Sequence, residues 1–233
     1  MIVLLNNSFI DRKDAKVDIE DRGYQFGDGI YEVVRVYEGE FYEYQPHIDR
    51  LYNSAAEIQL TIPHTKSELM GLLDELVKRN GVETGYVYFQ YTRGEAPRGH
   101  AFPASSTAVL SAYVNEKPRP TALLDSGMHV ITTEDIRWLR CDIKSLNLLG
   151  AVLANQEAKA AGKDEAILHR DGVITECSLA NCFIVKGNKV YTHPANNLIL
   201  NGITRQVVAE IVNQTDGMEL CEQTYTLEDL RNA

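Results

Sequence analysis

Asp135-Ile136-Arg137-Trp138-Leu139-Arg140-Cys141-Asp142-Ile143-Lys144 is the stretch on which the chain's architecture turns. The stretch reads as strand-like, with a strand expected over 136–140, and the run ends on a lysine. Leu146, Leu148, Leu149, Val152 and Leu153 then fit a helix over 145–161 that stops at Gly162. Lys144 is therefore expected between a strand and an apolar helix. Desolvation there disfavours the ammonium and favours a nucleophilic amine. Further on, Glu176 closes a second strand-like run, Ile174-Thr175-Glu176-Cys177-Ser178. A third element, Leu200-Asn201-Gly202-Ile203-Thr204-Arg205, turns from a loop into a helix.

Taken singly, a lysine or a strand-end glutamate is most often a solvated charge. Their order carries more. An amine can form a Schiff base with an aldehyde, a carboxylate can keep a pyridine nitrogen protonated, and a helix N-terminus can hold a phosphate. Those are the three groups that pyridoxal phosphate requires of a protein.

Working outward, the chain has 233 residues, 44% hydrophobic and 24% charged, an ordinary globular composition able to bury a core. A formal net charge of −10 argues against nucleic acid or an anionic membrane as a general partner, while local arginines still suit a small anionic substrate. Cys141, Cys177, Cys182 and Cys221 show no metal-ligand or CxxC spacing, and no secretory signal precedes them. Reduced thiols in a cytoplasmic protein are expected, with no metal. The opening Met1-Ile2-Val3-Leu4-Leu5 is far too short for a membrane span and reads as a first strand.

Asn115-Glu116-Lys117-Pro118-Arg119-Pro120-Thr121, with its close prolines and charge, reads as a linker between residues 1–117 and 118–233. In the first part, 30–36 and 40–44 read as a hairpin turning at Glu38-Gly39. Ile48, Leu51, Tyr52, Ala55 and Ile58 keep a helical period. A second helix opens on the capping box Thr65-x-x-Glu68, carries Leu69, Leu72, Leu73, Leu76 and Val77 on one face and stops at Gly81. Strands at 86–93 and 108–114 complete an α+β pattern. In the second part, strands are expected at 127–133, 136–140, 165–169, 181–186 and 189–192, with a helix over 204–213 and a helical first turn at 226–230.

Gly27-Asp28-Gly29 lacks the full context of a phosphate loop and reads as a turn into the hairpin. Arg98 and His100 lie in a loop too rich in glycine and proline to be a helix. Loop residues of these types are usually solvated, yet this pair suits a carboxylate.

Together, these residues resemble the fold-type IV pyridoxal phosphate enzymes, a two-domain α+β family. The resemblance runs from about Asn6 to the end of the chain. It is carried by 21–32 around Gly27-Asp28-Gly29, by His47-Ile48-Asp49-Arg50-Leu51, by 138–147 around Lys144, by Glu176 and by Gly202-Ile203-Thr204-Arg205. Its Gly-Asp-Gly and His-x-x-Arg-Leu elements are shared with branched-chain aminotransferases and aminodeoxychorismate lyases. The loop Arg93-Gly94-Glu95-Ala96-Pro97-Arg98-Gly99-His100-Ala101-Phe102-Pro103 is the more specific part, being similar to the substrate-binding arm of the D-amino-acid aminotransferases.

The resemblance implies a role for each residue. Lys144 is the Schiff-base lysine and proton shuttle, and Glu176 the partner of the pyridine nitrogen. Arg50, Ile203 N–H and Thr204 bind the phosphate, and Leu200 packs on the ring. Tyr31, Arg98 and His100 trap the substrate α-carboxylate, the last two reaching over from the second subunit of a homodimer. The implied substrates are D-amino acids and 2-oxo acids. Two departures stand out. Cys177-Ser178-Leu179-Ala180 replaces a serine-rich stretch, and the family pattern continues past Ala233 into a strand, a threonine-rich loop and a final helix. A chain shortened at its C-terminus is the expectation, and a branched-chain aminotransferase, an aminodeoxychorismate lyase or a non-catalytic remnant are the alternatives.

Overall fold

A computed structural model describes residues 1–233 as two compact units, Met1–Pro120 with Lys144–Asn147, and Thr121–Ile143 with Leu148–Ala233. The first contains β1 (Ile2–Leu5), β2 (Ser8–Asp11), α1 (Arg22–Phe26), β3 (Gly29–Tyr37), β4 (Glu40–Phe41), α2 (Tyr44–Glu57), α3 (Lys66–Asn80), β5 (Thr84–Thr92) and β6 (Val109–Glu116). Its six strands form one sheet, ordered β2-β1-β6-β5-β3-β4.

Strand alternation sets the core of this unit. Ile30, Val34 and Val36 of β3, Val87, Phe89 and Tyr91 of β5, and Leu110, Ala112 and Val114 of β6 are buried. So are Ile48, Leu51 and Ala55 of α2 and Leu69, Leu73, Leu76 and Val77 of α3, helices that pack on this sheet. Burying one such side chain fully contributes about 1.5–3 kcal/mol, so this layer is the main source of the unit's stability. Thr65 and Glu68 cap α3 reciprocally, and Gly81 ends it at φ 62°. The β3–β4 turn uses Glu38 and Gly39, both at positive φ, as a tight hairpin requires. The second arm of this hairpin is shorter than its residue types suggest. Glu43, at φ 53°, turns the chain into α2 at Tyr44.

The second unit holds α4 (Thr121–Ser126), β7 (Val130–Glu134), α5 (Leu149–Ala160), β8 (Glu165–Arg170), β9 (Val173–Cys177), β10 (Phe183–Lys186), β11 (Lys189–Thr192), α6 (Ile203–Gln214), β12 (Glu219–Glu222) and α7 (Leu227–Arg231). Two three-stranded sheets result, β7-β8-β9 and β10-β11-β12. Ala154 and Ala158 of α5 pack on Ala166 and Leu168 of β8, with Ile131 of β7 alongside. No helix is long and apolar enough to cross a membrane.

Here the strand expected over 136–140 does not form. The polar groups bond neighbouring carboxylates and a distant loop carbonyl instead of entering a ladder. Arg137 N and Nε donate to Asp135, Arg140 Nε donates to Asp142, and Cys141 N donates to Asn197 O. The helix expected from 145 begins at Leu149, and its buried side is the alanine side. Leu149, Val152 and Leu153 are 71%, 56% and 51% exposed.

Candidate active site

Lys144 is half-buried and fixed by its backbone. Its N–H donates to Ser54 Oγ at 3.2 Å, its carbonyl accepts from Tyr31 N at 3.0 Å, and Leu146 N donates to Gly29 O. Residues 144–146 thus extend along the start of β3 as a single bridge, Ile30 to Ser145. Nζ lies 4.3 Å from the centre of the Tyr31 ring, a cation–π distance. Tyr31 itself stacks on Tyr88 of β5, with ring centres 5.6 Å apart.

On the opposite, buried face of β3 stands Glu32, fully inaccessible. Arg50 grips it as a fork, Nε to Oε1 at 2.7 Å and Nη2 to Oε2 at 2.8 Å, and His47 Nδ1 lies 2.7 Å from Oε2. Because an ionised carboxylate only accepts, this last contact makes Nδ1 the protonated nitrogen of His47. Burial alone would raise the Glu32 carboxyl. The hydrogen bonds from Arg50 and His47, with the charges of Arg50 and Lys144, outweigh it and hold the carboxyl below its ordinary value. The His-x-x-Arg spacing puts both side chains on one face of α2, above Glu32. The resemblance implies a phosphate for Arg50 and assigns no role to Glu32. The missed signal was an acid at the one non-apolar position of the inward-facing series 30, 32, 34 and 36.

In the second unit Glu176 is 5% exposed near the end of β9. Three donors converge on its carboxylate: Arg137 Nη1, Asn181 Nδ2 at 2.9 Å and Leu200 N at 3.2 Å. Asn181 also donates to Leu200 O at 2.8 Å, so Leu200 is pinned at both backbone polar groups. Arg137 in turn reaches Asp135 from Nε and Nη2, and Arg170 and Thr175 complete the bonding of Asp135. Burial pushes the Glu176 carboxyl up to about 7, against the pull of the Arg137 charge. Burial works against the Arg137 guanidinium too, but Asp135 and Glu176 keep it firmly charged. Arg137, Asp135 and Asn181 carry no weight in the sequence patterns, because 135–140 reads as a strand.

α6 opens at Ile203 on Gly202, which offers no side-chain cap, so the first-turn N–H groups are not satisfied by an N-cap side chain. A Cβ at 202 would run into Asn181 Oδ1, so any larger residue would push aside the side chain that bonds Glu176. Ile203 is buried and Thr204 exposed at this turn.

Arg98 and His100 are exposed and meet on Phe26. The Arg98 guanidinium lies 4.6 Å from that ring's centre, and the His100 ring centre 5.6 Å away. The structure therefore joins Lys144 to Tyr31, Glu176 to Leu200, and Arg98 to His100.

A family model described as amino-transferase class IV matches residues 29–233. The chain belongs to that family. D-alanine aminotransferase of Listeria monocytogenes serotype 4b (strain F2365) is 53% identical over 236 residues, covering 100% of the chain and 81% of the relative. Among solved structures, a branched-chain aminotransferase from Thermoproteus uzoniensis with norvaline has a TM-score of 0.92 at 28% identity, over 100% of this chain and 81% of that one. The T.th. branched-chain amino acid aminotransferase with pyridoxamine 5'-phosphate gives 0.91 at 26% identity, over 98% and 78%. The family's fold-type IV architecture is thus shared across enzymes that differ in substrate.

Proposed function

We propose that the chain is a pyridoxal-phosphate-dependent D-amino-acid transaminase. It moves the amino group of D-alanine or a similar D-amino acid to 2-oxoglutarate, giving pyruvate or the matching oxo acid and D-glutamate. The observation that carries this reading is the 53% identity to a D-alanine aminotransferase along the whole chain.

The residues fit the cofactor. An amine on a backbone fixed at both its N–H and C=O, a buried carboxylate ringed by donors, and a helix N-terminus without a side-chain cap match its aldehyde, ring nitrogen and phosphate. When bound, the group supplies an aldehyde that takes up the amino group and a ring that withdraws electrons from the substrate Cα. Lys144 would hold the group through its aldehyde by Nζ, and the same nitrogen would serve as the base that moves the proton of the substrate Cα. Glu176 would keep a proton on the ring nitrogen. A cation brought against this buried carboxyl favours its ionised form, lowering it from about 7, so the pair is self-reinforcing. Arg137, Asn181 and Leu200 N orient Glu176. Ile203 N–H and Thr204, with Arg50 held by Glu32, would bind the phosphate, and Leu200 would lie beside the ring.

Tyr31, Arg98 and His100 bind the substrate α-carboxylate, with Arg98 able to pair as a planar fork. Arg98 and His100 serve the partner's site in a homodimer, and the setting is the cytoplasm. Borohydride reduction of the holoenzyme followed by peptide mapping tests the assignment. The cofactor mass should appear on Lys144 alone, and cofactor fixed elsewhere would refute it. Mixing Arg98→Ala with Lys144→Ala protomers should restore partial activity if the arm crosses between subunits.

A further inference from the structure

Arg98 and His100 sit in a segment, 93–108, that belongs to no helix or strand, yet their use in binding a carboxylate demands a fixed arm. The contacts that hold it come from α1. Arg22, 3% exposed, donates from Nη1 to Gly99 O at 2.6 Å and from Nη2 to His100 O at 3.4 Å. Gly99 is the residue between Arg98 and His100, so these bonds fix the peptide units carrying the two side chains. The same guanidinium stands 4.9 Å from the centre of the Phe26 ring, the ring on which Arg98 and His100 themselves rest.

Arg22 is in turn fixed by Asp28, whose Oδ2 accepts from Arg22 Nε and Arg93 Nε, both at 2.8 Å. Arg93 stands at the root of the arm. It donates to the carbonyls of Ile58 and Gln59 just after α2, and its guanidinium lies 3.7 Å from the centre of the Phe102 ring farther along the arm. A single carboxylate of the Gly27-Asp28-Gly29 turn thereby ties the root of the arm and its working residues to the body of the unit. The two buried guanidiniums share this carboxylate, and carbonyl oxygens and aromatic faces complete their surroundings.

We infer that Arg22, Phe26 and Asp28 are positioning residues for substrate recognition. They set the placement of Arg98 and His100, and through it the affinity for the α-carboxylate of D-amino acids and 2-oxo acids. The inference rests on the functional reading above. Misplacing a binding group by an ångström is enough to lose much of its contribution.

The test uses the cofactor-loaded enzyme with Phe26→Leu, Phe26→Tyr and Arg22→Lys. Phe26 is half-buried, so Phe26→Leu keeps the apolar volume and the fold while removing the ring. Phe26→Leu and Arg22→Lys should raise KM for both D-alanine and 2-oxoglutarate by roughly five- to fifty-fold, the loss of one charge-assisted contact. kcat should stay within about three-fold, the pattern of lost uniform binding. Phe26→Tyr, which retains the ring, should keep the parent's KM. Trypsin should also cut after Arg98 faster in Phe26→Leu and Arg22→Lys than in the parent, and no faster in Phe26→Tyr.

An unchanged KM in a folded, cofactor-loaded Phe26→Leu protein, or a fall in kcat with KM unaltered, overturns the inference. If the parent enzyme fails to transaminate D-amino acids, the functional reading falls instead. The cleavage rates then still decide: faster cutting supports a positioned arm and equal rates overturn it.

Discussion

Replacing Arg137 by Met keeps the stem of the side chain but removes the guanidinium that links Glu176 to Asp135. Both carboxylates are buried, with side-chain exposures of 6% and 0%. Breaking a buried ion pair from one side costs about 3–5 kcal/mol, because an uncompensated charge remains in a poor solvent. The Glu176 share of that cost depends on pH. Its carboxyl is raised from an ordinary 4.5 to about 7 in the fold, so the folded state binds the proton more tightly than the unfolded chain. The associated stability is fully present below 4.5 and is lost as pH rises through 7, a change of about 3 kcal/mol in the parent. Without Arg137, which pulls the carboxyl down, the folded value climbs further and the loss extends to higher pH. Urea denaturation of cofactor-free Arg137→Met should therefore show its largest deficit against the parent at about pH 8. That deficit should shrink by roughly 1–3 kcal/mol at about pH 5, where Glu176 is mostly protonated in both proteins. A deficit below about 1 kcal/mol at the higher pH, or one that does not change with pH, would refute this account of the Glu176 environment.

Glu32 behaves with the opposite sign. Its carboxyl is held below the ordinary 4.5, so its contribution is present above that value and lost as pH falls. Glu32→Gln should destabilise the protein at neutral pH by about 3–5 kcal/mol and flatten the acid limb of the stability profile, as followed by chemical denaturation. Gly202→Ala is compatible with the backbone φ of −63°, but its Cβ runs into Asn181 Oδ1. Cofactor titration should show affinity reduced roughly five-fold or more, the cost of one disturbed hydrogen bond, and unchanged affinity would contradict the assigned loop approach. Glu176→Gln should still bind cofactor, while the single-turnover rate with D-alanine falls by about 10²–10³, the usual cost of removing one electrostatic stabiliser.

Periodicity reveals the packed layer of the first unit because its core is one-sided, although the short β2 and α1 carry no such signal. The apolar parity of β3, β5 and β6 matches the apolar stripes of α2 and α3, and Thr65, Glu68 and Gly81 punctuate α3 where their types demand. The run 135–144 misled for a physical reason. Bulky apolar residues among arginines look strand-like, yet Arg137 and Arg140 bond carboxylates two positions away, which competes with a ladder. Residue type cannot register that choice. α5 was legible as a helix but not in its orientation, because Ala151, Ala154 and Ala158 form the packed side although leucines are the larger apolar residues. Lys144 and Glu176 stood out through chemistry and order. Arg137 and Asn181 beside Glu176, Glu32 beneath Arg50, and Arg22 behind Arg98 and His100 did not, since a buried polar group becomes meaningful only when its partner from a distant segment is known.

Stereochemical preference tests the central claim most directly. With 2-oxoglutarate as acceptor, kcat/KM measured on the cofactor-loaded enzyme should be far higher for D-alanine than for L-alanine. Lys144→Ala should lower the D-alanine value by at least the roughly 10²–10⁴-fold that acid–base catalysis alone contributes. Equal kcat/KM for the two enantiomers, or a Lys144→Ala protein with near-normal turnover, would contradict the account.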